Sequence, residues 1–221
     1  MGWRKQVRER TGETRNSAVG RLAGATALLA ALAGCSKPQP PPAAMPDVYR
    51  VKFETSKGDF VVEARRAWAP RGAARFYELV RMRYFDQGRF FRVLPGFIAQ
   101  FGIHPDPAVH TTWRELVIPD DTPQEKNLRG TLAFAQSGPN TRATEVFINL
   151  KDNPELDDEH FTPFGQVVEG METVDMLYSG YGELGPKGKG PDAGRAESEG
   201  NEYIVPRFPK LDYIKRARLV Q

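Results

Sequence analysis

Cysteine is all but absent from this chain: Cys35 stands alone among 221 residues. One cysteine forms no internal disulfide, so a disulfide-stapled scaffold is excluded. Histidine is nearly as scarce, at His104, His110 and His160. Their spacing matches no ligand motif of the His-Glu-x-x-His kind, so they read as surface loop residues and not as a metal site. No apolar run reaches the ~20 residues that span a bilayer, which excludes a multi-pass membrane protein. No segment repeats at a period of roughly 20–50 residues. What is present points to an ordinary folded domain with tails: hydrophobic residues make up 40% of the chain, enough for a core. The formal charge of +3 and pI near 9.0 would suit a nucleic-acid partner only if the basic residues belonged to the folded part.

They do not. Arg4, Lys5, Arg8, Arg10, Arg15 and Arg21 crowd the first 21 residues against Glu9 and Glu13, and the thirteen residues from Leu22 to Gly34 are uncharged and rich in Ala and Leu. A basic stretch before a short apolar one is the pattern of a secretory signal. The run ends Leu32-Ala33-Gly34-Cys35, which resembles the bacterial lipobox, where the cysteine is acylated before cleavage. That resemblance implies residues 1–34 as a lipoprotein signal peptide and Cys35 as the lipidation site. Several acyl chains on one residue hold a protein to a membrane stably, where a single chain would not. Loss of residues 1–34 takes the net charge from +3 to about −1, so a nucleic-acid partner is not expected. Residues 35–46 then form a tether with five prolines, semi-rigid and extended. The expected location is the cell envelope, outside the cytoplasm, with the outer membrane favoured by Ser36 after the cysteine.

From Asp47 to Gln221 the texture is that of one domain. Val48 to Thr55 alternates apolar with polar, Ser56-Lys57-Gly58-Asp59 is a turn, and Phe60 to Ala64 returns, which predicts a hairpin. Pro70 to Tyr84 carries a helical apolar stripe behind a starting proline. Phe90–Leu94 and Phe97–Phe101 read as strands about Pro95-Gly96, a pair suited to the centre of a type II turn. Residues 103–129 look loop-like. Leu132–Gln136, Val146–Leu150 and Pro163–Val168 read as strands, Glu172–Tyr178 as a short helix, 179–201 as a long polar surface loop, and Tyr213–Val220 as a closing strand. Many short strands with two helices indicate a β-barrel or sandwich with helical caps.

Three blocks carry a resemblance. Residues 90–102 read Phe-Phe-Arg-Val-Leu-Pro-Gly-Phe-Ile-Ala-Gln-Phe-Gly, residues 130–149 contain Ala-Phe-Ala-Gln-Ser-Gly-Pro-Asn-Thr, and residues 161–170 read Phe-Thr-Pro-Phe-Gly-Gln-Val-Val-Glu-Gly. In this order, and over about Tyr49 to Val220, the chain resembles the cyclophilin family of peptidyl-prolyl cis/trans isomerases. The resemblance implies a mainly β fold, a closed eight-stranded antiparallel barrel capped by two α-helices. It also implies a monomer acting on proline-containing, unfolded or flexible segments, here in exported proteins.

The chemistry of that reaction asks for little. The barrier to amide rotation is roughly 18–20 kcal/mol, and an acceleration of about 10⁵ needs ~7 kcal/mol of preference for the twisted amide. An apolar socket for the ring, a donor near the prolyl nitrogen and an anchor for the preceding carbonyl suffice, with no metal, cofactor or nucleophile. By resemblance Arg92 is the donor and Gln100 holds it or the substrate backbone. Phe97, Ile98, Phe147 and Leu156 line the socket, with Phe161 beside it. Ala135 and Gln136 belong to the strand that pairs with the substrate. Glu145 stands on the rim, where the family usually has Gln, and adds negative charge. Other departures are Ile98 for a usual Met, Gln136 for Asn, Phe161 for a common His, and no Trp in 151–160, where the position falls near Glu155. That Trp is a cyclosporin contact in the family, so weak drug binding is expected. A non-catalytic module that captures proline peptides is the alternative. The run Gly180–Gly194 lacks the strand and helix of a phosphate loop. The acidic residues of 155–159 lack the alternate ligands and central glycine of a calcium loop and read as a solvated charge run.

Overall fold

A computed structural model of the chain describes residues 45–220. The expected leader, Cys35 and the expected tether up to residue 44 lie outside the described residues. Strand β1 (Val48–Thr55) and β2 (Asp59–Arg65) form the expected hairpin, paired from Val48–Arg65 to Glu54–Asp59. Helix α1 (Pro70–Arg81) starts on its proline and buries Ala73, Phe76, Leu79 and Val80. It stops three residues before Tyr84 because Arg83 takes a positive φ of 57°, which breaks the helix and turns Tyr84 into the core.

Two short strands follow, β3 (Arg92–Val93) and β4 (Ile98–Phe101). Between them Phe97 N–H donates to the Leu94 carbonyl at 2.9 Å and Gly96 has φ of +70°, the type II geometry that a Pro-Gly centre favours. Helix α2 (Pro107–Arg114) falls where a loop was expected. The signal for it was legible: Asp106 caps the helix by accepting from Ala108 N–H, and Pro107 occupies its first turn. Then come β5 (Thr131–Phe134), β6 (Val146–Asn149), α3 (Pro154–Asp158), β7 (Pro163–Glu169) and α4 (Met171–Asp175). The chain ends with α5 (Ala193–Glu199), α6 (Asn201–Arg207) and β8 (Ile214–Val220).

The eight strands make one antiparallel sheet in the order β3-β4-β6-β5-β7-β2-β1-β8. Closure is less complete than expected. The edge strands β3 and β8 share no ladder, and a single bridge, Arg89 with Tyr213, joins the segments just before them. Phe90 N–H donates to Asp212 and Ile214 N–H to Gly88 across this seam. The helices also outnumber the expected two, since α2, α3 and α5 occupy segments that read as loop or charge run, and α6 lies almost wholly in a stretch to which the sequence assigned no element.

Apolar packing divides into three. The main core fills the rolled sheet with aromatic rings, among them Phe53 stacked on Phe60 and Phe76 against Phe164, both at 4.8 Å between centroids. A second cluster joins Phe91, Ile103, Ala196, Tyr203, Ile204 and Leu211, with Tyr181, Leu184 and Phe208 packed on it. Phe90 belongs to the main core and Phe91 to the second cluster, since neighbouring residues of an extended segment point to opposite sides. The third, smallest group is Ile98, Ala133, Phe147 and Leu156.

Candidate active site

The β3–β4 pairing sets Arg92 opposite Gln100. Arg92 Nη1 donates to Gln100 Oε1 at 3.1 Å, and its guanidinium lies 5.8 Å from the centre of the Phe97 ring. Next to β4, β6 places Phe147 opposite Gln100. Period two along β4 keeps Ile98 on the same side as Gln100. Together Arg92, Phe97, Ile98, Gln100, Ala135, Gln136, Phe147, Leu156 and Phe161 surround a cavity of about 250 Å³. Phe161 meets Phe147 edge-on at 5.5 Å, and Leu156 is buried beneath.

Buried amides hold this floor in place. Asn149 Nδ2 donates to Thr131 Oγ1 at 2.9 Å and to Asn127 Oδ1 at 3.1 Å. Asn153 Nδ2 donates to Asn149 Oδ1 at 2.7 Å and to the Phe97 carbonyl at 3.0 Å. Asn127 Nδ2 donates to Asp157 Oδ1 and to the Phe161 carbonyl. Two socket residues, Phe97 and Phe161, are thus pinned by their backbones from one network. Asp157 is a partner in it, so part of the 155–159 acidic run is structural. Glu159 adds a carboxylate to the cavity's edge.

Ala135 and Gln136 lie just past the last residue of β5. Ala135 N–H donates to the Glu145 carbonyl at 2.9 Å, and the Gln136 amide donates to the Glu159 carbonyl at 3.3 Å. Glu145 differs from its expected role. Gln100 Nε2 donates to it at 2.7 Å, and burial pushes its carboxyl up to about 7, so it is no fixed negative charge at neutral pH. It borders a second cavity of about 390 Å³ with Gln100, Arg114 and Glu197, where Arg114 of α2 pairs with Glu197 of α5 at 2.6 Å.

Two corrections concern residues away from the socket. His110 is not a surface residue: it is buried on α2, with Nδ1 2.8 Å from the Tyr84 hydroxyl, and burial lowers it to about 4. Among the described residues no group of three or more His, Cys, Asp or Glu is placed to hold a metal ion. The 179–201 segment is not a plain surface loop either. Glu183 reaches from it to Arg92, accepting from Nε at 2.6 Å and from Nη2 at 2.7 Å. Nothing local in the sequence marked Glu183, because the contact spans 91 positions.

A sequence profile described as "Cyclophilin type peptidyl-prolyl cis-trans isomerase/CLD" matches residues 50–190, more than half of the chain. The chain belongs to the cyclophilin family. Among curated members, peptidyl-prolyl cis-trans isomerase CYP18-2 of Arabidopsis thaliana is 37% identical over 135 residues, 58% of this chain and 80% of that one. Peptidyl-prolyl cis-trans isomerase-like 1 of Aspergillus niger is 34% identical over 133 residues, with the same coverage of both. The fold agrees with a crystal structure of a Cryptosporidium parvum cyclophilin-type isomerase, at a TM-score of 0.59 and 23% identity over 79% of this chain and 98% of that one. Cyclophilins are peptidyl-prolyl cis-trans isomerases by class, and the rolled β-sheet with its helices is the family's architecture.

Proposed function

We propose that this cyclophilin accelerates isomerisation of X–Pro bonds in exported proteins from a lipid anchor at Cys35. One observation supports the catalytic reading most: an apolar socket of about 250 Å³ with a guanidinium and a carboxamide on one wall. The proline ring enters among Phe97, Ile98, Phe147, Leu156 and Phe161, where burial of apolar surface holds it. Arg92 then donates to the prolyl nitrogen as the amide twists and its lone pair localises, an interaction the planar amide offers only weakly. Gln100 keeps Arg92 at the rim of the socket. The part of the backbone just beyond β5, at Ala135 and Gln136, carries the substrate's main chain.

An isomerisation assay on a short X–Pro peptide tests this. Arg92→Ala is expected to lose roughly 100-fold in turnover, the usual scale for one preorganised donor. A wild-type chain that binds the peptide with no rate above buffer supports the non-catalytic binding module instead. Anchoring is separable. It draws support from the residue pattern at 22–35. Labelled palmitate is expected in the wild-type chain and absent from Cys35→Ala. An unlabelled wild-type chain in the soluble fraction overturns it.

A further inference from the structure

Arg92 carries five N–H donors. Nε and one N–H of Nη2 go to Glu183, and one N–H of Nη1 goes to Gln100. Two remain, one on each Nη, so a substrate amide can be served without breaking any existing bond. Gln100 in turn donates to Glu145. The wall of the socket is therefore a four-member chain, Glu183–Arg92–Gln100–Glu145, with a carboxyl group at each end.

We infer that Glu183 is a positioning residue, which holds the Arg92 guanidinium at the socket by opposing the pull of Glu145. The inference rests on the isomerase reading above. Three features of the molecule carry it. First, the contact is a two-point fork, which fixes both the position and the plane of a side chain that otherwise has many rotamers. Second, Glu183 sits on a built support. Its carbonyl accepts from Gly190 N–H at 2.8 Å, Leu184 N–H donates to Glu183 Oε1 at 2.8 Å, and Gly188 N–H donates to the Leu184 carbonyl at 2.8 Å. Leu184 packs on the second apolar cluster, which includes Phe91, the residue before Arg92. The carboxylate and the guanidinium are thereby referenced to the same packed group. A Cβ on Gly188 would overlap the Glu183 carbonyl, so the loop leaves no room for even a methyl group there.

Third, the rival is close and charged when it ionises. Arg92 already acts on Glu145 through space, favouring its ionised form. The other charges facing Glu145 are Arg114 from α2 and Glu197 from α5, paired with each other, and the charge of Glu145 is also felt at the Tyr84 hydroxyl. Without Glu183, one hydrogen bond to Gln100 would hold Arg92, and an ionised Glu145 beyond Gln100 would draw the guanidinium off the socket.

The experiment compares wild type, Glu183→Ala, Glu183→Gln and the double variant Glu183→Ala/Glu145→Gln by isomerisation kinetics from pH 6 to 9. Alongside runs the NMR signal of the Arg92 Nε–H. Glu183→Ala is expected to lose roughly tenfold in kcat, the scale of a small misplacement, with KM little changed. The loss should grow above pH 7, where Glu145 ionises, and the double variant should flatten that dependence. Glu183→Gln keeps one acceptor and should fall between. The Arg92 Nε–H signal, sharp in wild type, should broaden in Glu183→Ala. A kcat at or above wild type in both single variants overturns the proposal. So does a loss that is uniform with pH and untouched by Glu145→Gln, the mark of a merely structural role. Should Glu183→Ala fail to fold, the isosteric Glu183→Gln decides by the same pH profile. Failure of the isomerase reading looks different: wild type itself shows no turnover, and the Nε–H signal still reports whether Glu183 positions Arg92.

Discussion

The two walls of the site are made in different ways. The socket wall comes from paired strands, β4 and β6, with a buried amide network behind it. The polar wall ends in Glu183, held by an irregular segment that rests on a satellite cluster of six buried residues. In the first, pairing register decides which side chains meet. In the second, tertiary packing over long sequence separation decides it. Strand geometry follows from local alternation, so the socket is set by nearby residues, whereas the loop-borne carboxylate depends on packing that no nearby residue sets.

Substitutions can break this division, beginning with the largest expected effect. Phe101→Ala empties the main core where Phe53, Phe85 and Phe90 converge, with rings 5.3–5.7 Å away. It should cost about 3–5 kcal/mol in urea unfolding, taking down both walls together. Gly188→Ala should separate them. The added methyl displaces the Glu183 backbone, so turnover falls toward that of Glu183→Ala while the unfolding midpoint moves little. An equal loss of global stability would show that the segment and the sheet are one cooperative unit.

Glu145→Gln is the narrowest test, because its effect depends on pH. The folded-state value of about 7 lies above the ordinary 4.5, so the native state holds its proton through that window. The stability Glu145 contributes is full below about 4.5 and is lost as pH rises through 7. Glu145→Gln should therefore raise stability relative to wild type at pH 8.5 and change it little at pH 4.5. The check is urea midpoints at both values. A gain at low pH would contradict the burial of the carboxyl.

Much of the sheet was legible because alternation and turn residues act locally. The hairpin of β1 and β2 and the Pro95-Gly96 turn came from neighbours in sequence, and the pairing of Arg92 with Gln100 from the family resemblance. Helix α2 was legible in principle, from Asp106 and Pro107, but its polar composition masked it. Helix α5 begins likewise at Asp192, which caps Arg195 N–H at 2.9 Å. Glu145 was misread because its desolvation depends on what covers it, which no local pattern reveals. His110 was misread for the same reason. Glu183 left no trace at all, since a glutamate among glycines has no periodicity to betray a partner 91 residues away.

The seam at Arg89 and Tyr213 gives the rolled sheet a preferred line of parting. There the Arg89 guanidinium lies 4.5 Å from the centre of the Tyr213 ring, a clasp of one cation on one ring beside a few backbone bonds. The strand carrying Arg92 begins three residues from that clasp. Mechanically, this wall is one lip of a cuff: the six inner strands are sewn by ladders on both sides, and the two edges, β3 and β8, are joined only by this button beside them. Strain on the edge of the sheet falls on this seam before it reaches the aromatic interior.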